Sequence, residues 1–399
     1  MIVQAARRTR DVREYYFSIK NRELAALDEK RLAEGLPPII NLGIGAPDGM
    51  PPLDAIRALA ETAALPDSHK YQNYRGLPEL RGAFCDWYRR YYGVSLDPSC
   101  EVQPLAGSKE GILLTSLAFV DKGDKVLVPD PGYPTYLSAS NLVEAEILTY
   151  RLREDNGWYP DFDELENMDL RGVKLMWVNY PNMPTGAASS RELFRRLVDF
   201  GKKHNILIIN DNPYSFVLNP QPLSILSVEG SEGVCLELNS LSKAHNMSGW
   251  RIGMIAGHRE LISEVLKVKS QMDSGMFKPM QMAAIAALEQ GPEWFESLNA
   301  EYSERQKAAG RLFDALGVTY DPHSTGLFLW GKAPSDSPFA AGDASATLGE
   351  RFSDALLAAT GIFITPGFIF GHEGDNYVRA SLCADVATLD EAVERVRNI

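Results

Sequence analysis

The chain has 399 residues, more than one ordinary hydrophobic core accommodates, so a large domain joined to a smaller one is expected. Apolar residues make up 45% and charged residues 23%, the balance of a globular protein working in water. The formal net charge of −13 excludes a broad nucleic-acid or anionic-membrane surface, though a locally positive pocket for a small anion stays open.

The first residues, "MIVQAARRTRDVREYY", are basic and lack the apolar centre of a signal peptide. No apolar run reaches membrane-spanning length. The cysteines, Cys85, Cys100, Cys235 and Cys383, are scattered and form no CxxC pair. Together these predict a cytoplasmic enzyme with free thiols. Residues 11–34 are rich in helix formers and stop at Gly35, as one amphipathic helix would. "PPIINLGIGAPDGMPP" breaks that pattern, and helices are expected at 53–64 and 78–92.

From about residue 100 the pattern alternates. "SKEGILLTSLAFV" reads as a helix, "KVLVPD" and "VKLMWVNY" (173–180) as strands, and 191–204 as a helix. Residues 206–211, 234–240 and 251–257 are further short apolar runs. Such runs separated by helices predict βα units around a mostly parallel sheet, with ligands bound beyond the strands' carboxyl ends. "DP" at 130–131, "NYPN" at 179–182 and "NDN" at 210–212 all fall at such ends. From about residue 292 a helix at 293–316, "GLFLWGK", a helix near 346–360, "IFITPG" and "YVRASL" predict a smaller α+β domain. The expected division is an arm and helix at 1–48 serving the small domain and a dimer contact, a large domain at 49–290, and a small one at 291–399.

Several residues stand where chemistry is plausible, each with an ordinary structural alternative. Lys243 follows a strand within "SLSKAHNMSGWRIG". A lysine held among dipoles can lose its proton and form a Schiff base with an aldehyde; otherwise it is a solvated loop lysine. Arg251, among Ser240, Ser242 and Ser248, suits a phosphate or a surface ion pair. "AGSKEGILL" (106–114) is a second anion cradle, with Gly107 allowing close approach and Ser108 and Lys109 opening a helix, or a plain N-cap at Ser108. It is neither a Walker loop nor a dinucleotide fingerprint. Asp211 closes a buried run, either pairing with a protonated ring nitrogen or capping a turn. Tyr214 can aim a phenol the same way, and Asn182 an amide unless it only shapes its turn. Tyr133 can stack on a flat ligand or serve as an apolar wall. Arg379, within a strand, needs a substrate carboxylate or an internal salt bridge. The histidines form no metal-binding spacing, and His245 reads best as a hydrogen-bonded loop histidine.

In order and spacing this set resembles the class I/II aminotransferases, pyridoxal-phosphate enzymes of fold type I. "SLSKAHNMSGWRIG" matches the family's SxSK…R-x-G, "NDNPY" its D-x-x-Y, and "YPNMPTG" its N-P-x-N-P-T-G, with Tyr180 where a small or polar residue is usual. The likeness runs from "INLGIGAPD" (40–48) to "YVRASL". It implies a large domain built on a mostly parallel seven-stranded sheet flanked by helices, plus the smaller α+β domain. It also implies pyridoxal 5'-phosphate joined to Lys243, which later carries the proton. Asp211 would pair with the ring nitrogen, and Asn182 and Tyr214 with the ring's phenolic oxygen. Ser108, Lys109, Ser240, Ser242 and Arg251 would hold the phosphate, Tyr133 would stack on the ring, and Arg379 and Gly45 would receive the substrate's carboxylate end. Tyr71, in "KYQNYRGLPELR", matches a tyrosine that reaches the neighbouring subunit's phosphate, with Tyr74 the competing choice; this implies a homodimer with shared sites.

Within the family, "GSKEGI", "LVPDPGYPTY" and the early "YYF" are similar to the group containing LL-diaminopimelate aminotransferase, which would bring Tyr15 to the substrate's far end unless it only packs its helix. The expected reaction is ping-pong transamination between an L-amino acid and a 2-oxo acid, with 2-oxoglutarate as acceptor. Elimination from a C–S substrate on the same cofactor, or a non-catalytic relative of the fold, are the alternatives.

Overall fold

The computed structural model describes residues 3–10, 12 and 14–399. After a short strand β1 (Ile40–Asn41), seven strands form one sheet: β2 (Val102–Leu105), β3 (Lys125–Asp130), β4 (Glu146–Arg151), β5 (Val173–Val178), β6 (Leu207–Asp211), β7 (Cys235–Ser240) and β8 (Gly253–Gly257). Their spatial order is β2-β8-β7-β6-β5-β3-β4. β3 pairs in parallel with β4 and β5, β5 with β6, and β6 with β7. Only β8 runs against its neighbours, β2 and β7.

The reason lies in the connection. A parallel neighbour needs a crossover, usually through a helix. Residues 241–252 hold only a 3-10 turn, Ser248–Trp250, so the chain folds straight back. Ser240 at the end of β7 therefore stands opposite Gly253 at the start of β8, and everything between them gathers at the carboxyl edge of the sheet.

The sheet is covered on both faces, which is why its central strands are largely apolar, with Lys174 in β5 and Glu237 in β7 the interruptions that stand before their polar ends. Strand alternation sends Val126, Val128, Leu175, Trp177, Ile209 and Leu238 into one core, and Leu127, Met176, Val178 and Ile208 into the other. Polar residues close these runs at the carboxyl ends, as the sequence predicts.

Strands β9 (Thr319–Tyr320), β10 (Phe328–Lys332), β12 (Thr365–Pro366) and β13 (Tyr377–Ser381) form a second sheet in the order β12-β13-β10-β9, while β11 (Ile362–Phe363) pairs in parallel with β1. The long helix Pro292–Leu316 and the helices Leu348–Thr360 and Val386–Arg397 accompany them. "IFITPG" is thus two strand fragments rather than one strand.

The first long helix spans Tyr16–Ala33 but lacks the expected amphipathic stripe: it fully buries only Leu24 and Arg31, Leu24 packing against Leu357 and Phe363. Residues 11 and 13 of that expected helix lie outside the described residues, and Arg7–Arg10 forms a separate turn of helix. Helices at Leu53–Ala63, Pro78–Tyr92, Ser108–Phe119 and Arg191–His204 stand where the sequence places them. Strands β2 and β4 and the helices Pro134–Leu142, Arg259–Lys269 and Lys278–Leu288 were not anticipated. Among the described residues no helix is long and apolar enough to cross a membrane.

Candidate active site

A cavity of about 360 Å³ opens at the carboxyl edge, lined from both sheets and from residues 15–46. Lys243 projects into it from the β7–β8 connection, and its Nζ donates to the Gly45 carbonyl at 2.5 Å. Burial holds its pKa down at about 8, with Arg379 and Arg251 adding to that depression and Cys383 and Asp211 opposing it. An amine so poised is free to act as nucleophile or base near neutral pH.

Asp211 ends β6 at the cavity floor, 4% exposed. Its Oδ2 accepts from the Tyr136 hydroxyl at 2.9 Å, while Oδ1 has no partner among the described residues. It caps nothing. Burial raises its pKa to about 7 in spite of the Tyr136 hydrogen bond and the Lys243 charge. Tyr136 lies flat on Trp177, with centroids 5.2 Å apart. A buried carboxylate oxygen without a donor is expensive, and a cationic ring nitrogen is the kind of donor it lacks.

The anion cradle forms where three segments touch. Gly107, at φ 83°, is the N-cap of helix Ser108–Phe119, one residue earlier than a serine cap would be. A methyl group there would sit 2.2 Å from Arg251 Nη2, so the guanidinium lies directly on this glycine. A methyl on Gly253 would meet the Ser108 nitrogen at 2.8 Å, so the start of β8 also presses on the turn. Arg251 Nη1 donates to the Ser248 carbonyl at 2.8 Å and reaches Ser242 Oγ at 3.5 Å. Ser108, Lys109, Ser240, Ser242, Ser248 and Arg251 all line the cavity here.

At the other end Arg379 comes from β13, 3% exposed. Its carbon Cζ lies 3.8 Å from the centre of the Phe328 ring and 4.7 Å from that of Phe370. Nη2 donates to the Gly43 carbonyl at 2.8 Å and Nη1 approaches Met183 Sδ at 3.2 Å. Among the described residues it has no carboxylate partner, and burial lowers its pKa to about 10. The internal salt bridge is not there. The ribbon at 42–45 ties this end to the middle: Leu42 O accepts from Ser381 N, Gly43 O from Arg379, Ile44 O from Ser381 Oγ, and Gly45 O from Lys243.

Tyr15, Tyr133, Tyr214 and Gly45 also line the cavity. Tyr15 immediately precedes its helix, its ring packed 4.6 Å beneath Lys109 Nζ. Tyr214 stands 6.0 Å from Lys243 Nζ, ring centre to nitrogen. Tyr71 is 92% exposed and Tyr74 43%, and neither lines the cavity of its own chain.

Two side chains stand otherwise than expected. Asn182 is not among the residues lining the cavity: one Nδ2 proton is donated to the Asn179 carbonyl and its Oδ1 accepts from Thr185, which leaves the second Nδ2 proton uncommitted. Its neighbours Asn179 and Met183 line the cavity instead. His245 makes no hydrogen bond; it is buried against Trp87 and Phe295, and burial pushes its pKa down to about 3. The sequence reading missed Tyr136, Asn179, Met183, Phe328 and Phe370. Only Tyr136 left a signal, three residues after Tyr133 on a helix beginning at Pro134, where i and i+3 share a face.

The cavity thus offers two amines, Lys243 and Lys109, one carboxylate oxygen left free on Asp211, and a guanidinium at each end. The family model described as aminotransferase class I and II matches residues 37–396. The chain belongs to the class I and II aminotransferases. The LL-diaminopimelate aminotransferase of Aquifex aeolicus is 39% identical over 94% of this aminotransferase and 95% of that relative. The one from Moorella thermoacetica is 36% identical over 100% of this chain and 98% of its own. A substrate-bound structure of BacF from Bacillus subtilis superposes with a TM-score of 0.90 at 33% identity, covering 99% of this chain and 98% of BacF. The family depends on pyridoxal 5'-phosphate, and the donor set suits that group: an amine for its aldehyde, the orphaned Asp211 oxygen for its ring nitrogen, and the Gly107–Arg251 cradle for its phosphate.

Proposed function

We propose that this aminotransferase takes its amino group from a dicarboxylic L-amino acid, glutamate among them, and passes it to a 2-oxo acid, with 2-oxoglutarate as an acceptor in a ping-pong cycle. The observation that carries the reading is Arg379, a buried guanidinium that faces the same cavity as Lys243 and has no acidic partner of its own. A substrate α-carboxylate is its natural counter-ion, held by a bidentate fork. The names of the relatives make a diamino dicarboxylic acid the first further donor to try.

When bound, the cofactor supplies an aldehyde that joins amines and a ring that takes up the electron pair left at the substrate's α-carbon. Lys243 is assigned the covalent link to that aldehyde. Its Nζ is the group that would take the substrate's α-proton and deliver it to the cofactor's aldehyde carbon, which a pKa near 8 permits. Asp211 Oδ1 accepts from the ring nitrogen and keeps it protonated. Tyr214 donates to the ring's phenolic oxygen and Tyr133 stacks on the ring. Ser108, Lys109, Ser240, Ser242 and Arg251 hold the phosphate, and Gly45 lets the backbone approach the substrate. Tyr15 walls the substrate's far end. The outward stance of Tyr71 supports its reaching the phosphate of a partner subunit, and hence a homodimer with shared sites; the cytoplasm is the compartment we propose for it. Boundaries at 1–48, 49–290 and 291–399 are kept, supported by the β1–β11 pairing of the first segment with the last.

The test is a half-reaction screen. Purified protein loaded with cofactor is mixed with single amino acids, and the loss of the aldehyde absorbance band is followed. Dicarboxylic amino acids should convert it fastest. Conversion by aromatic amino acids alone would remove the acidic-substrate reading.

A further inference from the structure

Lys269, the last residue of helix Arg259–Lys269, has only 1% of its side chain exposed. Lysine is almost never so buried unless it is paired. Its Nζ donates to Glu110 Oε1 at 3.2 Å and to Asp273 Oδ2. None of the three lines the cavity, yet both carboxylates are tied to segments that serve it.

Glu110 stands in the first turn of helix Ser108–Phe119, and its Oε2 accepts the Ala106 N–H at 2.6 Å. This reach back goes one residue beyond the bond of a capping box, passing the N-cap Gly107 to hold the residue before it. It clamps the 106–108 turn, but it also puts a negative charge behind a turn whose free N–H groups would face another anion. Asp273 Oδ1 accepts the Gly275 N–H at 3.1 Å. Gly275, at φ 88°, lies so close to the 72–73 backbone that a methyl group would meet Gln72 O at 2.4 Å. Gln72 adjoins the exposed Tyr71.

We propose that Lys269 is a positioning residue for cofactor-phosphate binding: its ammonium neutralises the Glu110 carboxylate that clamps the 106–108 turn and, through Asp273, fastens that turn to the segment presenting Tyr71. The proposal rests on the placement of the phosphate against Arg251 and Gly107 given above. A buried ion pair says little about stability by itself, whereas removing one partner leaves the other uncompensated. Here the uncompensated charge would face a dianion.

The experiment measures binding of pyridoxal 5'-phosphate and of pyridoxal, which lacks the phosphate, to the cofactor-free protein by quenching of tryptophan fluorescence. The readout is the ratio of the two affinities. Lys269→Met should lower that ratio by about tenfold, as one unscreened charge beside the anion implies. Glu110→Gln should raise it, by about threefold or more, because the repelling charge is gone while Lys269 keeps Asp273. A packing role would weaken both ligands alike in both variants, and that result overturns the proposal, as does an unchanged ratio. Should Lys269→Met fail to fold, the opposite-signed shift in Glu110→Gln decides alone. Arg251→Met separates the premises: if it leaves the ratio unchanged, the phosphate placement falls and the proposal with it. If Arg251→Met lowers the ratio and the other two variants do not move it, only the role of Lys269 is overturned.

Discussion

Replacing Asp211 by Asn should stabilise the cofactor-free protein above neutral pH and leave it nearly unchanged in acid. The Asp211 carboxyl is raised from 3.8 to about 7, first by burial and further by the Glu237 charge, with Tyr136 and Lys243 offsetting part of the rise. In an unfolded chain an aspartate titrates near about 3.9. Between those values the folded protein keeps a proton that the unfolded chain has given up. The contribution of Asp211 to stability is therefore intact below about pH 4, shrinks as the pH climbs through about 7, and is flat beyond. A shift of roughly three units at about 1.4 kcal/mol each makes the loss about 4 kcal/mol. Asparagine has nothing to ionise and keeps an oxygen for the Tyr136 hydroxyl. Urea unfolding of both cofactor-free proteins from pH 4 to 8.5 should thus give a difference that grows with pH towards about 4 kcal/mol in favour of Asp211→Asn. Lys243, which titrates near 8, is common to both and cancels to first order. With cofactor bound the order should reverse, since the carboxylate then gains the ring-nitrogen cation. A difference that does not vary with pH would refute the claim that burial holds this carboxyl neutral.

Two further outcomes are expected. Gly107→Ala forces an L residue to φ 83° and drives its methyl into Arg251 Nη2, so it should cost about 1–2 kcal/mol in backbone strain and weaken pyridoxal 5'-phosphate more than pyridoxal in a binding titration. The rate at which the cofactor-free protein attaches pyridoxal 5'-phosphate should rise about tenfold per pH unit up to about 8 and then level, because only the unprotonated Lys243 amine attacks; stopped-flow absorbance showing the break near 10.5 instead would mean that burial does not depress this lysine.

The central sheet was readable because its strands are buried on both faces: β3 and β6 are short apolar runs that stop at a polar residue, and β7 alternates Leu236 and Leu238 with Glu237 and Asn239. β2, "VQPL", is interrupted by glutamine and proline, and β4, "EILTYR", is a half-exposed edge strand, so neither carries that signature. The site was readable for the same reason. Lys243, Asp211 and Arg251 are polar residues placed where an apolar run stops or starts. Asn182 shows the limit of such reading. In the 179–186 turn, which side chains face inwards is settled by hydrogen bonds among Asn179, Asn182 and Thr185, and an offset of one residue gives the wall to Met183. Phe328 and Phe370 reach the cavity only because the second sheet packs over the first, a relation that no local pattern encodes. Arg379 was identifiable as a strand charge lacking a partner, but not the aromatic rings that replace one.

The ribbon at 42–45 holds both working cations by main-chain oxygens, Gly43 for Arg379 and Gly45 for Lys243. Every amino acid carries that oxygen, so these two moorings cannot be deleted by exchanging a side chain. They can be lost only by bending the ribbon. The selective demand at positions 43 and 45 is accordingly one of shape: a methyl at either would run into Phe363 or Phe328, at 2.5 and 2.1 Å. Between them Ile44, 42% exposed, gives its carbonyl to Ser381 Oγ, so its side chain lines the cavity without taking part in either mooring.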